Sequence, residues 1–501
     1  MSKTKIIHII IIVLGILFVS ASAFHENMWF DESYSVAIAS NYSLSEIWEI
    51  GGHDVHPILY YWMLNIVGTL TGNSILMFRL FSVLAIAILG IIGYTHIRKD
   101  FGENVGLVFS FFAFFMPTNI IYASEIRMYT WGMLFVVLLG IYAYRLYKDS
   151  NNIKNWILFA LFSICSAYTH YYGLMAAGLM NLLVMIYFIT KAIKAKKWIP
   201  ELTKFIIQGV IEVLLYIPWV LTLFTQMKQV ESGFWIQKKS FFDTAFDIFL
   251  FQFTGNLDNN EYISNNIGIF FGLFIISAIF FIIGSNKDKI KKDWIVPATS
   301  VAMYILVIIG AVAVSNYMNR AILYARYMLV TTGLLLIAIS YIIGKYGSKK
   351  LIITILAITV IVGTLINYKV MLNNYDESNQ EPIQYLKQNI KEGDIIIYKN
   401  VGGGFIISTV FSEFDSYFYN AENWGVEEAY KAFGRNYHTV NNLEFLNNYY
   451  GRIWFIDAND YSMQETATSR FNDIKVLETQ RFEVKYKGYP YTFSLTQKGE
   501  W

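Results

Sequence analysis

The sequence predicts a mainly α, polytopic membrane protein of about eleven transmembrane helices, with a C-terminal extracytoplasmic α/β domain. Three observations carry this. Hydrophobic residues make up 55% of the 501 and charged residues only 15%, where ordinary soluble proteins have roughly 45–50% and about 25%. The charge is divided: residues 1–375 hold 27 basic and 19 acidic side chains, and residues 376–501 hold 12 basic and 18 acidic. Apolar runs long enough to cross a bilayer recur throughout the first part and stop before the second. The expected domains are therefore 1–375, in the membrane, and 376–501, soluble. A soluble multidomain enzyme and a disordered chain are excluded, and no nucleic-acid partner is expected. Cys165 stands alone in an apolar run, which rules out an intrachain disulfide and a cysteine metal cluster.

A bilayer core takes about 20 apolar residues per helix. Runs of that kind cover 6–24, 75–97, 104–121, 127–147, 153–170, 172–190, 203–224, 266–284, 294–315, 322–344 and 350–371. The first follows Lys3 and Lys5 and precedes Ser20-Ala21-Ser22-Ala23, like a signal peptide. Its apolar core outruns the roughly 7–15 residues of such a segment, so it reads as an uncleaved anchor. Basic residues favour the cytoplasmic side. A cytoplasmic N-terminus puts the Lys191–Lys197 and Lys287–Lys292 clusters inside. An odd span count then puts residues 376–501 outside the cell membrane.

This topology gathers the polar residues of the first part on the outer face. The first outer loop, 25–74, carries Asp31-Glu32, His53 and His56. Later outer turns carry Glu125 and Arg127, His170 and Tyr171, and Arg326. Each has a bland reading. The acids could start an interfacial helix, the histidines could lie on a surface, and Arg326 could snorkel at a helix end. Glu212, within a span, reads as a bundle-facing group bonded to a neighbour. Gly402-Gly403-Gly404 lacks the Lys-Ser/Thr of a phosphate loop and reads as a flexible turn. The histidine spacing is a poor zinc signal. Taken together, a carboxylate with arginines at a membrane surface suits group transfer from a lipid phosphate. The carboxylate takes a proton from an incoming hydroxyl. Arginine forks hold the phosphate and stabilise its growing charge.

An Asp-Glu after the first span, then a His-Pro tract, then Arg-Leu opening the second span, resembles the pattern of type C glycosyltransferases (GT-C). Here these are Asp31-Glu32, His56-Pro57 and Arg79-Leu80. The tracts Ala123–Tyr129, Thr169–Gly173, Tyr216–Trp219 and Ala325–Met328 resemble the family 39, protein O-mannosyltransferase and aminoarabinose-transferase branches. The likeness spans about residues 1–345. It implies short interfacial helices at 33–50 and 57–72, and a donor sugar on a polyprenyl or dolichyl phosphate, transferred with inversion. It implies Asp31 as general base or acceptor-orienting group, Arg127 and Arg326 on the lipid phosphate, and Glu32, His53 and His56 on the acceptor side. Glu125, His170 and Tyr171 join them as candidate sugar or acceptor contacts. Ile58 replaces the family's second proline. Relatives differ over metals, so a divalent ion at Asp31 stays open and no cofactor is required. The acceptor, whether protein, lipid or glycan, is not given. A flippase for a polyprenyl-linked glycan and a polysaccharide ligase or polymerase are the rival readings.

The tail alternates helical patterns at Pro382–Ile390, Val426–Phe433 and Asn442–Tyr449 with strand-like Asp394–Tyr398, Arg452–Asp457 and Arg481–Thr496. Tyr489-Pro490 marks a hairpin turn in the last. This reads as a binding or stabilising module.

Overall fold

The computed structural model describes residues 3–233, 235–255, 262–423, 425, 427–458, 462–487 and 490–499. The chain divides into two compact units. One comprises Met1–Ala23, Val55–Tyr60 and Arg79–Tyr368; the other comprises Phe24–Asp54, Tyr61–Phe78 and Lys369–Trp501.

The first unit is helical. Nine helices among the described residues are long and apolar enough to cross a membrane, and they fall on nine of the eleven predicted runs. The other two runs are shorter helices, Glu103–Phe115 and Ile153–Thr169. The run at 104–121 is interrupted because Met116, just before Pro117, is extended (φ −70°, ψ 133°). A residue preceding proline is driven out of the helical region, and Pro117 then starts the short helix Pro117–Ala123.

Helices in lipid associate through close backbone approach and hydrogen bonds rather than hydrophobic contrast. Both devices are present. A side chain at Gly106 would lie 2.5 Å from the Gly93 carbonyl, and one at Gly93 would lie 2.8 Å from the Gly106 carbonyl. Next to that crossing, Ser110 Oγ donates to the Gly90 carbonyl (2.6 Å) and lies 2.7 Å from His8 Nε2 of the first helix.

The second unit contains the first-loop helices Phe30–Asn41 and Leu44–Gly51 and all but the first two residues of Leu59–Thr71. The expected single helix at 33–50 is thus two. Tyr42 is extended, and Ser43 starts the second helix with a reciprocal cap: its hydroxyl accepts from Glu46 N–H, and Glu46 Oε2 accepts from Ser43 N–H at 2.8 Å.

The same unit carries a six-stranded sheet, β1 Ile395–Tyr398, β2 Ser416–Tyr419, β3 Tyr437–Val440, β4 Gly451–Ala458, β5 Ile474–Phe482 and β6 Tyr491–Lys498. The order is β3-β2-β1-β4-β6-β5. The first four run parallel, and β6 pairs antiparallel with both β4 and β5. The α/β expectation holds, with corrections. The long strand expected at 481–496 is β5 and β6, with β5 beginning at Ile474. The hairpin turn at Tyr489-Pro490 falls partly outside the described residues. The triple glycine is no turn. Val401–Val410 is a helix, with Asn400 Oδ1 accepting from Gly403 N–H. A side chain at Gly404 would lie 2.1 Å from the Tyr398 ring of β1, so glycine here lets the helix pack close to the sheet.

Candidate active site

The turn between Pro117–Ala123 and the helix Tyr129–Lys148 carries Glu125 and Arg127. Its backbone is clamped from the preceding span: Arg79 Nη1 donates to the Ser124 carbonyl (2.9 Å) and Ser82 Oγ to the Glu125 carbonyl (2.6 Å). Arg127 N–H closes the turn on the Glu125 carbonyl at 2.8 Å. Arg79 has no exposed surface. Sequence reasoning used it only as a family marker, although a charge inside an apolar run is itself a functional signal.

Arg326 lies on the short 3₁₀ turn Ala325–Met328. Its guanidinium carbon is 5.6 Å from the ring centres of both Tyr129 and Tyr324, within cation–π range. Around it the rings of His56, His170, Tyr129 and Tyr327 cluster, with centroids 5.2 Å apart for His56–His170 and His170–Tyr327 and 5.7 Å for Tyr129–His170. Arg127, Glu125, His56, His170 and Arg326 are all buried. With Tyr171, the structure therefore brings six of the sequence-selected residues into one unit, at the same end of its helices.

His170 sits where the helix Ile153–Thr169 ends and Tyr171–Ala195 begins. Its Nδ1 accepts from Tyr172 N–H at 3.1 Å, capping the second helix. That fixes the neutral tautomer with the proton on Nε2. Both Nε2 of His170 and Nδ1 of His56 are buried without a hydrogen-bond partner among the described residues. Burial, reinforced by the charges of Arg127 and Arg326, holds His170 down to about 3 and His56 well below the usual histidine range. The pair is thus neutral, and it presents donors and acceptors rather than charge. Tyr171 donates to Gln226 Oε1 and accepts from Trp219 Nε1 (3.2 Å), while Gln226 Nε2 donates to the His56 carbonyl at 3.5 Å. Tyr171 therefore braces His56.

Beside these histidines a cavity of about 230 Å³ opens among Leu174, Met175, Leu223, Val314 and Met318. His56, His170 and Tyr327 edge it, and its lining is almost wholly apolar.

Asp31, Glu32 and His53 belong to the second unit. Asp31 occupies the first turn of Phe30–Asn41, half-buried. Glu32 has no exposed surface. Its Oε2 accepts from the Tyr486 hydroxyl at 2.8 Å and from Trp29 N–H at 3.4 Å. Tyr486 also meets the His25 ring edge-on, with centroids 4.9 Å apart. Nothing in the sequence separates Tyr486 from the other 35 tyrosines. His53 follows the helix Leu44–Gly51, its N–H donating to the Ile50 carbonyl. Among the described residues no three His, Cys, Asp or Glu side chains converge as a metal site requires.

The helical membrane fold and the buried arginines of the first unit are features this chain shares in kind with membrane glycosyltransferases of type C, and the comparisons with known proteins point the same way. A family model described as dolichyl-phosphate-mannose-protein mannosyltransferase matches residues 55–232. Among solved structures, apo ArnT from Cupriavidus metallidurans aligns over 98% of both chains with a TM-score of 0.59 at 11% identity, a likeness of fold. The same ArnT bound to undecaprenyl phosphate aligns over 98% of both chains (TM-score 0.49, 12% identity). An Archaeoglobus fulgidus oligosaccharyltransferase in complex with zinc and sulfate aligns over 86% of this chain and 62% of its own (TM-score 0.46, 10% identity). No curated protein matches in sequence.

Proposed function

We propose that this protein transfers a sugar from a polyprenyl or dolichyl phosphate to a hydroxyl acceptor on the outer face of the membrane, inverting the anomeric carbon. The observation that carries the reading is the burial of Arg127 and Arg326 with the neutral His56–His170 pair beside an aliphatic cavity. Guanidinium forks match the oxygens of a phosphate, and in a dry site they stabilise the charge left when the sugar departs. The cavity's aliphatic wall suits a prenyl chain. The family model's description, which names dolichyl-phosphate mannose, supports the donor class. In this reading Asp31 accepts the acceptor's proton and Glu32, held by Tyr486, keeps the first turn in place. His53, Glu125, His170 and Tyr171 serve the sugar and acceptor side.

Undecaprenyl and dolichyl phosphates should each protect the purified chain against heat, and Arg127→Lys or Arg326→Lys should weaken that protection. Protection that is absent, or unchanged in both variants, overturns the donor site. Addition of single sugars to product supports the reading, and block transfer of a glycan favours a ligase. Orientation is tested separately. In intact cells a cysteine at Glu413 should react with an impermeant thiol reagent, while cysteines at Lys196 and Lys289 should be shielded.

A further inference from the structure

A second ionisable cluster lies at the other end of the first unit's helices. Tyr129, in the ring cluster, opens the helix Tyr129–Lys148, and Arg145 lies in its last turn, about 24 Å along the axis at 1.5 Å per residue. Here Thr95, His96, Lys99, Arg145, Lys154 and Asn155 line a cavity of about 410 Å³.

The backbone departs from regularity at this cavity. Gly93–Ile97 is a π turn within the helical run Ile75–Phe101. Such a turn adds a residue to the helix and is frequent at functional sites. His96 on that turn is held by two neighbours, with Thr95 Oγ1 2.9 Å from Nδ1 and the Tyr142 hydroxyl 3.4 Å from Nε2. Asn152 Oδ1 accepts from Lys154 N–H and caps the helix Ile153–Thr169, whose N-terminal dipole adds positive potential.

The charges do not cancel. Arg145 Nε pairs with Asp100 Oδ2 at 2.9 Å, but the ammonium groups of Lys99 and Lys154 have no ion-pair partner among the described residues. A polar cavity edged by two such ammonium groups and a helix N-terminus suits a phosphate. The surface alongside is apolar: Ile91 lies one turn before Thr95, Ile153 lies between Asn152 and Lys154, and Ile157 lies one turn further on. All three are exposed. A free anion has no use for that surface.

We propose that this cavity holds the phosphodiester of an anionic phospholipid, in the leaflet opposite Arg127 and Arg326, with its acyl chains along Ile91, Ile153 and Ile157. The site is separate from the donor site, and it makes the fold of these helix ends depend on lipid charge.

The test uses the full chain in discs of phosphatidylcholine with or without phosphatidylglycerol, reading retained lipid by native mass spectrometry and unfolding by heat. The wild-type chain should retain phosphatidylglycerol preferentially and melt higher with it. Lys99→Gln/Lys154→Gln should lower the preference about 10–30-fold, the loss expected for two lysines near an anionic headgroup. Lys194→Gln/Lys197→Gln, which removes the same charge from another inner loop, should leave it unchanged. Equal preference in the wild type and the first variant, or equal loss in both variants, overturns the proposal. So does full protection by inorganic phosphate in phosphatidylcholine discs, which would make this a free-anion site.

Discussion

The two units treat ionisable groups in opposite ways. In the helical unit the charged and titratable side chains at the site, Arg79, Arg127, Arg326, Glu125, His56 and His170, are buried. In the sheet-bearing unit several are paired at the surface, as with Arg435–Glu46 (2.7 Å), Lys485–Asp376 (2.6 Å) and Arg481–Glu483 (3.0 Å). Exposed pairs of that kind contribute little, whereas a buried charge is costly unless something compensates it. In the first unit, then, a buried charge marks a candidate for function. In the second it is background, and Asp31 stands out there only by its family resemblance.

Asp31→Asn breaks this contrast with the largest expected effect. The exchange keeps size and hydrogen bonding but removes the proposed proton acceptor. Loss of a general base costs about 10²–10⁴-fold in rate, and sugar transfer at saturating donor should fall by that much while donor binding is kept. Near-normal transfer would place the base among the buried acids of the helical unit, with Glu125 the one to test.

Arg127→Lys and Arg326→Lys come next. Each keeps a charge but loses the fork, and at position 326 also the stacking on Tyr129 and Tyr324. A hydrogen bond to a charged group is worth about 1.5–3 kcal/mol, so donor affinity should fall about ten- to a hundredfold with little change in turnover at saturation. Titrating lipid phosphate against each variant checks this. A loss of turnover at unchanged affinity would move both arginines from the donor phosphate to the reacting sugar.

The same contrast explains what was legible in the sequence. Spans are a bulk property of about 20 residues, so nine runs were located from hydropathy alone, and the run at 104–121 was misjudged because Pro117 splits it. Candidate site residues in the helical unit were legible because each stands in or beside an apolar run. Arg79 was readable by that rule and was missed as a participant. The second unit's errors come from packing. The helix at Val401–Val410 exists despite three glycines because Gly404 must approach Tyr398, which overrides local propensity. The strands β2 and β3, four residues each, are too short for alternation to register. The grip of Tyr486 on Glu32 spans 454 positions in the chain and leaves no local trace.

That grip gives the next effect. Tyr486→Phe removes one hydrogen bond from a fully buried carboxylate, and a hydrogen bond to a charged group is worth about 1.5–3 kcal/mol. The second unit's melting transition should drop by several degrees, while Arg435→Gln at the exposed pair should leave it nearly unchanged. Equal effects from the two would mean that burial does not separate working from idle charges in this unit.

The smallest effect is one of pH, and its sign should differ between the units. His170 is held down to about 3, mainly by burial, while in the unfolded chain it titrates near 6.5. Between those values the unfolded state binds the extra proton, so stability rises with pH and is lost on acidification below about 6.5. Asp457 behaves the other way. Burial raises it to about 6 against the donation from Met463 N–H (2.6 Å) and Gln464 N–H (3.4 Å). An unfolded aspartate titrates near 3.9, so here the folded state binds the extra proton. Its contribution to stability is full below about 4 and is lost as pH rises through about 6. Melting followed from pH 4 to 7 should therefore show His170→Gln flattening a loss on the acid side, and Asp457→Asn flattening a loss on the neutral side. If both variants flatten the curve in the same direction, the burial of these two groups does not set the pH response, and the opposition between a neutral-base pocket in one unit and a buried acid in the other fails.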